Sequence, residues 1–178
     1  MVTTILLARH GETDWNRDLR VQGHSDTPLN ENGREQARAL AESLAGEPIQ
    51  AIYTSDLARA RETAEIVAAP RDLEVHVDRD LRERNFGSWE GLTREEIDDR
   101  FGEASTHDGE TNDEVRERVL AAVHRIVAGH PDQVVLVVSH GGALNSLWHH
   151  ASGARLERWA NCAVYRLAFR DGSFTPID

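Results

Sequence analysis

Residues 134–142, VVLVVSHGG, form a long apolar run that ends in Ser139, His140 and two glycines. A run of aliphatic residues without polar alternation is typical of a strand that is buried on both faces, as in a parallel sheet. In open α/β sheets, ligands bind at the edge where such strands end and helices begin. The stretch therefore predicts a parallel sheet with a candidate site at its carboxyl edge.

A second strand with a polar ending lies near the N-terminus, in LLARHGETDWN (residues 6–16). The apolar residues end at Arg9 and His10, and Gly11 allows the backbone to turn sharply or to approach a ligand closely. Arg9 and His10 form either a functional pair or an ordinary surface pair at the end of a strand. This stretch alone leaves both interpretations open.

Helical and strand patterns alternate along the rest of the chain. We predict helices over about 32–45, within 54–70, from a capping box at Thr93, over about 111–129 and over 143–151, and strands at 50–53, at 73–77 and on both sides of the turn at Asp171 and Gly172. This order predicts a three-layer α/β/α sandwich with a mostly parallel sheet. We expect one domain over residues 1–178, in which the charged segment 80–110 passes over the active-site edge.

The composition excludes several classes of protein. A net charge of −11 opposes nucleic-acid binding, and no apolar stretch is long enough to span a membrane. The N-terminus lacks the features of a signal peptide, so we expect a cytoplasmic protein without membrane partners. The single cysteine, Cys162, is expected to be a small core residue.

All 20 basic residues are arginine, which excludes a Schiff-base lysine and a P-loop lysine. Three predicted strand ends carry Arg9 with His10, the segment 55–59, and the segment 139–142. These residues should meet in one crevice, where two arginines and two histidines would repel each other unless an anion lay between them. Arginine matches phosphate oxygens, so a phosphoryl group is the expected ligand.

Five segments, in this order and rough spacing, resemble the histidine phosphatase superfamily, the phosphoglycerate-mutase-like proteins. They are ARHGETDWN (8–16), SDLARARETA (55–64), LRERNFGSWEG (81–91), GETNDEVRERV (109–119) and VSHGG (138–142). The resemblance covers nearly the whole chain and implies that fold. It also implies a phosphohistidine intermediate. Because the expected pocket consists of arginine and histidine, we expect no metal ion, and we expect no cofactor.

The resemblance also implies roles for individual residues. His10 matches the nucleophile, Glu83 matches the acid that protonates the leaving group, and Arg9, Arg59 and His140 match the phosphate pocket. Substrate-binding positions are matched by Asn16, Gln22, Gly23 and Gly141. Gln22 and Gly23 have an alternative interpretation, in which they are structural residues of a turn and do not bind the substrate.

Glu90 lies in the same segment as Glu83 and is the other candidate for the acid. We expect Glu90 instead to hold the 89–91 turn. Arg82 and Arg84 would disturb Glu83 if they pointed inward, so we expect both to face outward. Glu62 stands where many relatives have glutamine, and Thr111 replaces a common serine. Neither departure touches the expected phosphate pocket.

The expected function is hydrolysis of a small phosphomonoester. A cofactor-dependent phosphoglycerate mutase is the alternative, but we expect this chain to lack the insertion after the WEG segment and the C-terminal tail that such mutases have. A non-catalytic phospho-ligand binding module would need neither His10 nor Glu83. A non-haem iron site of His10, His140 and Glu83 is disfavoured by the neighbouring arginines. The resemblance leaves a homodimer open.

Overall fold

The strands form one six-stranded sheet, and the computed structural model describes residues 1–178. The strands are β1 (Thr3–Arg9), β2 (Ile49–Thr54), β3 (Val75–Val77), β4 (Val134–Ser139), β5 (Val164–Arg170) and β6 (Ser173–Ile177). Their order is β3-β2-β4-β1-β5-β6. The first four in this order pair in parallel, whereas β5 and β6 form an antiparallel hairpin on the β1 side. The mostly parallel sheet is thus confirmed.

Six α-helices connect the strands. They are α1 (Asp14–Arg17), α2 (Glu31–Ser43), α3 (Ala58–Ala68), α4 (Arg94–Phe101), α5 (Asn112–Gly129) and α6 (Gly141–Ser152). The predicted capping boxes at Thr93 and Thr111 begin α4 and α5. The sequence pattern did not predict α1, which is one turn long and too short to show an apolar period; Thr13 and Asn16 cap it.

Both faces of the central strands are buried, which explains their unbroken apolar sequence. On one face, Ile5 and Val137 belong to a core with α5 and α6. On the other face, Leu6 and Val138 pack with apolar residues of α2 and α3. Cys162 is half-buried at the border of this second core. Helices on both faces of the sheet complete the expected three layers.

The register of the sheet brings three strand ends together. Arg9 of β1 pairs with Ser139 of β4, and Thr54 of β2 pairs with Val138 of β4. The residues that follow these strands are His10, His140 and Ser55, so they leave the sheet at one edge.

No helix combines the length and the apolar character that crossing a bilayer requires. The location in the cell and the oligomeric state stay predictions of the sequence.

Candidate active site

His10 presents one basic ring nitrogen. The ring is almost completely buried, and its Nδ1 lies 2.7 Å from the carbonyl oxygen of Gly11. Because a carbonyl oxygen only accepts hydrogen bonds, Nδ1 carries the proton and Nε2 of the neutral ring keeps its lone pair. Burial lowers the pKa of His10 well below its ordinary value, and Arg59 and Arg9 lower the pKa further. The imidazole is therefore neutral at neutral pH.

The backbone around His10 is held tightly. The Gly11 N–H donates to the Thr63 hydroxyl over 3.0 Å, and the Asn161 side-chain amide donates to the His10 carbonyl over 2.9 Å. A Cβ atom on Gly11 would lie 2.4 Å from the Gly33 carbonyl oxygen, so only glycine allows this close approach to α2. The position of the imidazole thus follows from contacts with three other segments.

Arg9 and Arg59 bring two buried positive charges to the same edge. Arg59 is fully buried on α3, where its terminal nitrogens donate to the carbonyls of Ser25 and Gly23, both over 2.8 Å. Arg9 donates to the Trp159 carbonyl. Burial lowers the pKa of both guanidinium groups, to about 10 for Arg59. Both groups therefore remain charged at neutral pH.

His140 lies beside His10, with the ring centroids 5.1 Å apart. The ring is fully buried, and its Nε2 lies 2.6 Å from the Ser55 hydroxyl oxygen. Burial, followed by Arg59 and His10, lowers the pKa of His140 well below its ordinary value. Two neutral imidazoles and two charged arginines thus meet at the sheet edge.

Three buried nitrogens of this cluster lack a hydrogen-bond partner: Nε of Arg9, Nε of Arg59 and Nδ1 of His140. Buried polar groups in proteins are normally satisfied, and unsatisfied ones require an explanation. Three such nitrogens in adjoining side chains match the several acceptor oxygens of one phosphoryl group.

Glu83 is fixed against the beginning of α6. Its Oε2 accepts a hydrogen bond from the Gly142 N–H over 3.0 Å, and its Oε1 accepts from the Ala143 and Arg84 N–H groups over 3.1 and 2.8 Å. Each carboxyl oxygen has two lone pairs. Oε2 therefore keeps one lone pair free of the protein. A Cβ on Gly142 would lie 2.5 Å from Oε1, so a larger residue there would displace the Glu83 carboxyl group.

Asn16 and Gln22 have their side-chain oxygens occupied. Oδ1 of Asn16 accepts from the Thr13 N–H and from the Asn161 side-chain amide. Oε1 of Gln22 accepts from the hydroxyls of Thr13 and Thr27. Because the oxygens are held in this way, the two amide NH₂ groups are the donors left for a ligand.

Of the two glycines among the expected substrate-binding residues, only Gly23 lies where a larger residue would overlap a neighbour. Gly23 has a φ of +53° and accepts a hydrogen bond from Arg59, and a Cβ there would overlap the Glu90 carboxylate. Gly141 is the first residue of α6, and a Cβ there would lie 3.6 Å from Nε of Arg9, an ordinary van der Waals distance.

A cavity of about 210 Å³ brings most of these residues together. Its walls include the expected site residues Arg9, His10, Asn16, Gln22, Gly23, Arg59 and Glu83, together with Arg20, Val21 and Phe86. His140 and Gly141 do not line the cavity. No group of three or more His, Cys, Asp or Glu side chains is arranged to bind a metal ion.

Glu90 and the arginines beside Glu83 have structural contacts. Glu90 accepts from the N–H groups of His24, Ser25 and Phe86, and thereby joins the 23–25 loop to the 86–90 segment. Arg82 faces away from Glu83 and pairs with Asp56. Arg84 donates to the Glu110 carbonyl and to Asn112. The expectation that Arg84 faces outward needs correction, because this half-buried side chain lines a second cavity next to Glu83.

Two supporting residues, Asn161 and Arg118, were missed by the sequence analysis, and Ser55 was placed at the site without a role. Ser55 is the first residue of the predicted strand-end segment 55–59, and its hydroxyl contacts the His140 ring, which was not predicted. Asn161 lies in a loop before β5 and carries no signal of its contact with His10. Arg118 of α5 donates to the carbonyls of Asp80, Arg82 and Glu83. These hydrogen bonds fix the loop segment that carries Glu83.

Comparisons with known proteins agree with this geometry. The model of the histidine phosphatase superfamily (branch 1) matches residues 5–177. Phosphoglycerate mutase-like protein 4 of Arabidopsis thaliana is 40% identical over 184 residues, which cover 94% of this chain and 80% of that protein. The metal-independent phosphoserine phosphatase of Arabidopsis thaliana is 40% identical over 165 residues, which cover 83% of this chain and 68% of that protein.

A solved structure has the same fold. The structure of Bacillus stearothermophilus YhfR superimposes with a TM-score of 0.90 at 36% sequence identity, covering 98% of this chain and 95% of that one. The chain belongs to the histidine phosphatase superfamily.

Proposed function

We propose that this protein is a phosphomonoesterase that transfers the phosphoryl group of a small substrate to His10 and then to water. The observation that carries the proposal is the state of His10. Its Nδ1 proton is bound to the Gly11 carbonyl, its Nε2 is basic, and unpartnered arginine nitrogens lie beside it. Family membership and the name of the phosphoserine phosphatase relative support the same activity.

In the first step, Nε2 of His10 attacks phosphorus and the bond from phosphorus to the leaving oxygen breaks. Arg9, Arg59 and His140 donate to the phosphoryl oxygens, on which the transition-state charge is spread. Asn16 and Gln22 supply further amide donors. Gly23 lines the cavity beside them, whereas Gly141 does not line it. Glu83 gives its proton to the leaving oxygen, and we assign that proton to Oε2 because this oxygen has the free lone pair.

In the second step, water attacks the phosphorus of phospho-His10 and the bond from phosphorus to Nε2 breaks. The Glu83 carboxylate takes a proton from the water, so the acid of the first step is regenerated. Inorganic phosphate leaves, and Nε2 recovers its lone pair. The arginines and Glu83 supply the charge and the proton transfer of both steps, and we propose that the reaction needs no divalent metal ion.

Hydrolysis is favoured over mutase activity because the site is open. A mutase must shield its phosphoenzyme from water until the second hydroxyl is in place. Residues 92–110 form the short helix α4 and a loop, and none of them lines the cavity at His10. Water can therefore reach phospho-His10.

The test is to incubate the enzyme, in the presence of a chelator, with 3-phosphoglycerate, with and without 2,3-bisphosphoglycerate. We expect release of inorganic phosphate in both cases. Formation of 2-phosphoglycerate without matching phosphate release would overturn the assignment as a phosphatase. Restoration of activity by added divalent metal would overturn the metal-independent mechanism. An activated aryl phosphate serves as a reference substrate for general phosphatase activity.

A further inference from the structure

His24 is a half-buried histidine that the proposed mechanism does not use. It lies in the 23–25 loop, directly after Gly23. Its ring Nε2 lies 2.8 Å from the backbone carbonyl oxygen of Glu83, which is 59 residues away in the sequence. The His24 ring therefore joins the 23–25 loop to the backbone of the proposed acid.

This contact decides which nitrogen of the His24 ring carries the proton. Because a carbonyl oxygen only accepts hydrogen bonds, Nε2 carries the proton and donates it to the Glu83 carbonyl. The other lone pair of that carbonyl oxygen accepts from Nη2 of Arg118 over 2.8 Å. Nδ1 of His24 faces the amide nitrogen of Asn85, 3.5 Å away, and the amide oxygen of Asn85 accepts from the Gly87 N–H. Both sides of the ring thus agree on the Nε2–H tautomer.

The 23–25 loop also holds the phosphate pocket. The carbonyls of Gly23 and Ser25, on either side of His24, accept from Arg59 over 2.8 Å each. The Glu90 carboxylate accepts from the N–H groups of His24 and Ser25 over 2.9 Å each. The backbone of His24 is therefore fixed relative to the arginine that is expected to bind the phosphoryl group.

An ion pair with Glu110 is the alternative role for His24. Oε2 of Glu110 lies 3.7 Å from Nε2, which is longer than a hydrogen bond. Both carboxylate oxygens of Glu110 already accept from Arg118, over 2.7 Å each. The Glu83 carbonyl is therefore the hydrogen-bond partner of His24.

The position of the Glu83 carboxyl group depends on both ends of the residue. The N–H groups of Gly142 and Ala143 hold the carboxyl oxygens, whereas His24 and Arg118 hold the backbone carbonyl. A misplacement of about 1 Å costs a catalytic group on the order of 10²-fold in rate. Loss of one of the two backbone contacts should therefore reduce proton transfer.

We propose that His24 is a positioning residue, whose Nε2–H sets the distance between Glu83 and the phosphoryl group held by Arg59. His24 does not line the cavity at His10, so it acts through Glu83 and not on the substrate. This inference rests on the proposed function, because it requires that Glu83 protonates the leaving oxygen.

The test compares two substrates in His24→Asn and His24→Gln. Glutamine can place an amide N–H where Nε2 of histidine lies, whereas asparagine is one bond shorter and does not reach the Glu83 carbonyl. The first substrate is 3-phosphoglycerate or glycerol 1-phosphate, whichever the wild type hydrolyses faster. For this alkyl phosphate, kcat/KM should fall about 10- to 100-fold in His24→Asn and by less than about threefold in His24→Gln. For 4-nitrophenyl phosphate, whose leaving group needs little protonation, both variants should stay within about twofold of the wild type.

A double variant tests whether His24 acts through Glu83. In Glu83→Gln the transferable proton is already gone, so adding His24→Asn should lower kcat/KM for the alkyl phosphate by less than about twofold. In the wild type, ¹⁵N shifts of the neutral His24 ring should show a protonated Nε2. His150→Asn changes an exposed histidine of α6 that does not line the cavity at His10, and serves as the matched control.

Unchanged activity of His24→Asn, an equal loss on both substrates or an equal loss in His24→Gln would overturn the inference. A full second loss in the double variant, or a protonated Nδ1 in the wild type, would also overturn it. If the wild type hydrolyses these phosphomonoesters and one of these results is found, only the role of His24 is wrong. If the wild type hydrolyses none of them, the proposed function is wrong as well.

Discussion

The hydroxyl oxygen of Ser55 lies 2.6 Å from Nε2 of His140. Ser55 follows β2 and His140 follows the adjacent strand β4. The other ring nitrogen, Nδ1, is buried without a partner. Phosphoryl oxygens accept hydrogen bonds, so His140 assists transfer only if Nδ1 carries the proton. We infer that Ser55 donates to Nε2 and thereby holds His140 in this tautomer.

Replacing Ser55 with alanine should therefore weaken catalysis without unfolding the protein. Without the Ser55 proton, the Nε2–H tautomer becomes accessible and turns a lone pair toward the phosphoryl group. We expect kcat to fall about 10- to 100-fold, as for other residues that fix a histidine tautomer. In the wild type, ¹⁵N shifts of His140 should show a protonated Nδ1, and in Ser55→Ala a mixture of tautomers.

Ser139→Ala is the matched control for this prediction. Its hydroxyl is equally buried, but it donates to the Leu81 carbonyl over 2.7 Å and does not touch the His140 ring. We expect a loss of about 1 kcal/mol of stability and an unchanged His140 tautomer. Protonated Nε2 in the wild type would contradict the inferred role of Ser55.

His10 should remain neutral far into the acid range. Burial and the two neighbouring arginines lower its pKa well below the ordinary value of 6.5. NMR titration of the free enzyme should show no protonation of this ring as the pH falls through 6.5. A ring that titrates at or above 6.5 would contradict the geometry.

The same pKa shift predicts how stability depends on pH. Below about pH 6.5, His10 binds a proton in the unfolded chain but not in the folded protein. Acidification from that pH down to the lowered folded-state pKa therefore reduces the free energy of unfolding. Urea unfolding between pH 7 and pH 5 should show a smaller acid-dependent loss for His10→Ala than for the wild type.

Glu83→Gln tests proton transfer to the leaving group. Glutamine has the same size but no transferable proton, so substrates with poor leaving groups should slow by about 10²–10⁴-fold. An activated aryl phosphate needs little protonation and should slow much less. Comparable losses on both kinds of substrate would indicate that Glu83 is structural.

Gly142→Ala should displace Glu83 while leaving its chemistry intact. The new Cβ would lie 2.5 Å from Glu83 Oε1, so the carboxyl group must shift. Misplacement of a catalytic group by about 1 Å costs on the order of 10²-fold in rate, and we expect such a loss for alkyl phosphates. Gly129→Ala, at the end of α5 with open space around its Cβ, should keep full activity. Full activity of Gly142→Ala would show that the Glu83 position is not critical.

Much of the fold could be predicted from the sequence because its signals are local. The unbroken apolar run before Ser139 predicted a central strand, and the capping residues Thr93 and Thr111 predicted where two helices begin. The turn at Asp171 and Gly172 likewise predicted the final hairpin. The position of that hairpin beside β1 depends on the register of distant strands, which no local pattern specifies.

The contacts of the candidate site were likewise predictable only where they follow from a local pattern. His10 and His140 were predicted to meet because each follows an apolar strand, and the structure places their rings side by side. The contact of Asn161 with the His10 carbonyl spans 151 residues and left no trace in spacing or composition. Arg84 was expected to face outward because only its neighbour Glu83 was considered, whereas Asn112 and Phe86 hold it at the second cavity next to Glu83.

The most direct test of the account is to trap the phosphoenzyme. An aryl phosphate with ³²P in the phosphoryl group should transfer the label quickly and let the intermediate accumulate, because its leaving group needs little help. After rapid quenching without acid, we expect label on His10 that is stable to base and labile to acid. The label should be absent from His10→Ala and present in His150→Ala, which changes an exposed histidine of α6. Label retained in His10→Ala, or turnover without any labelled protein, would contradict the central claim.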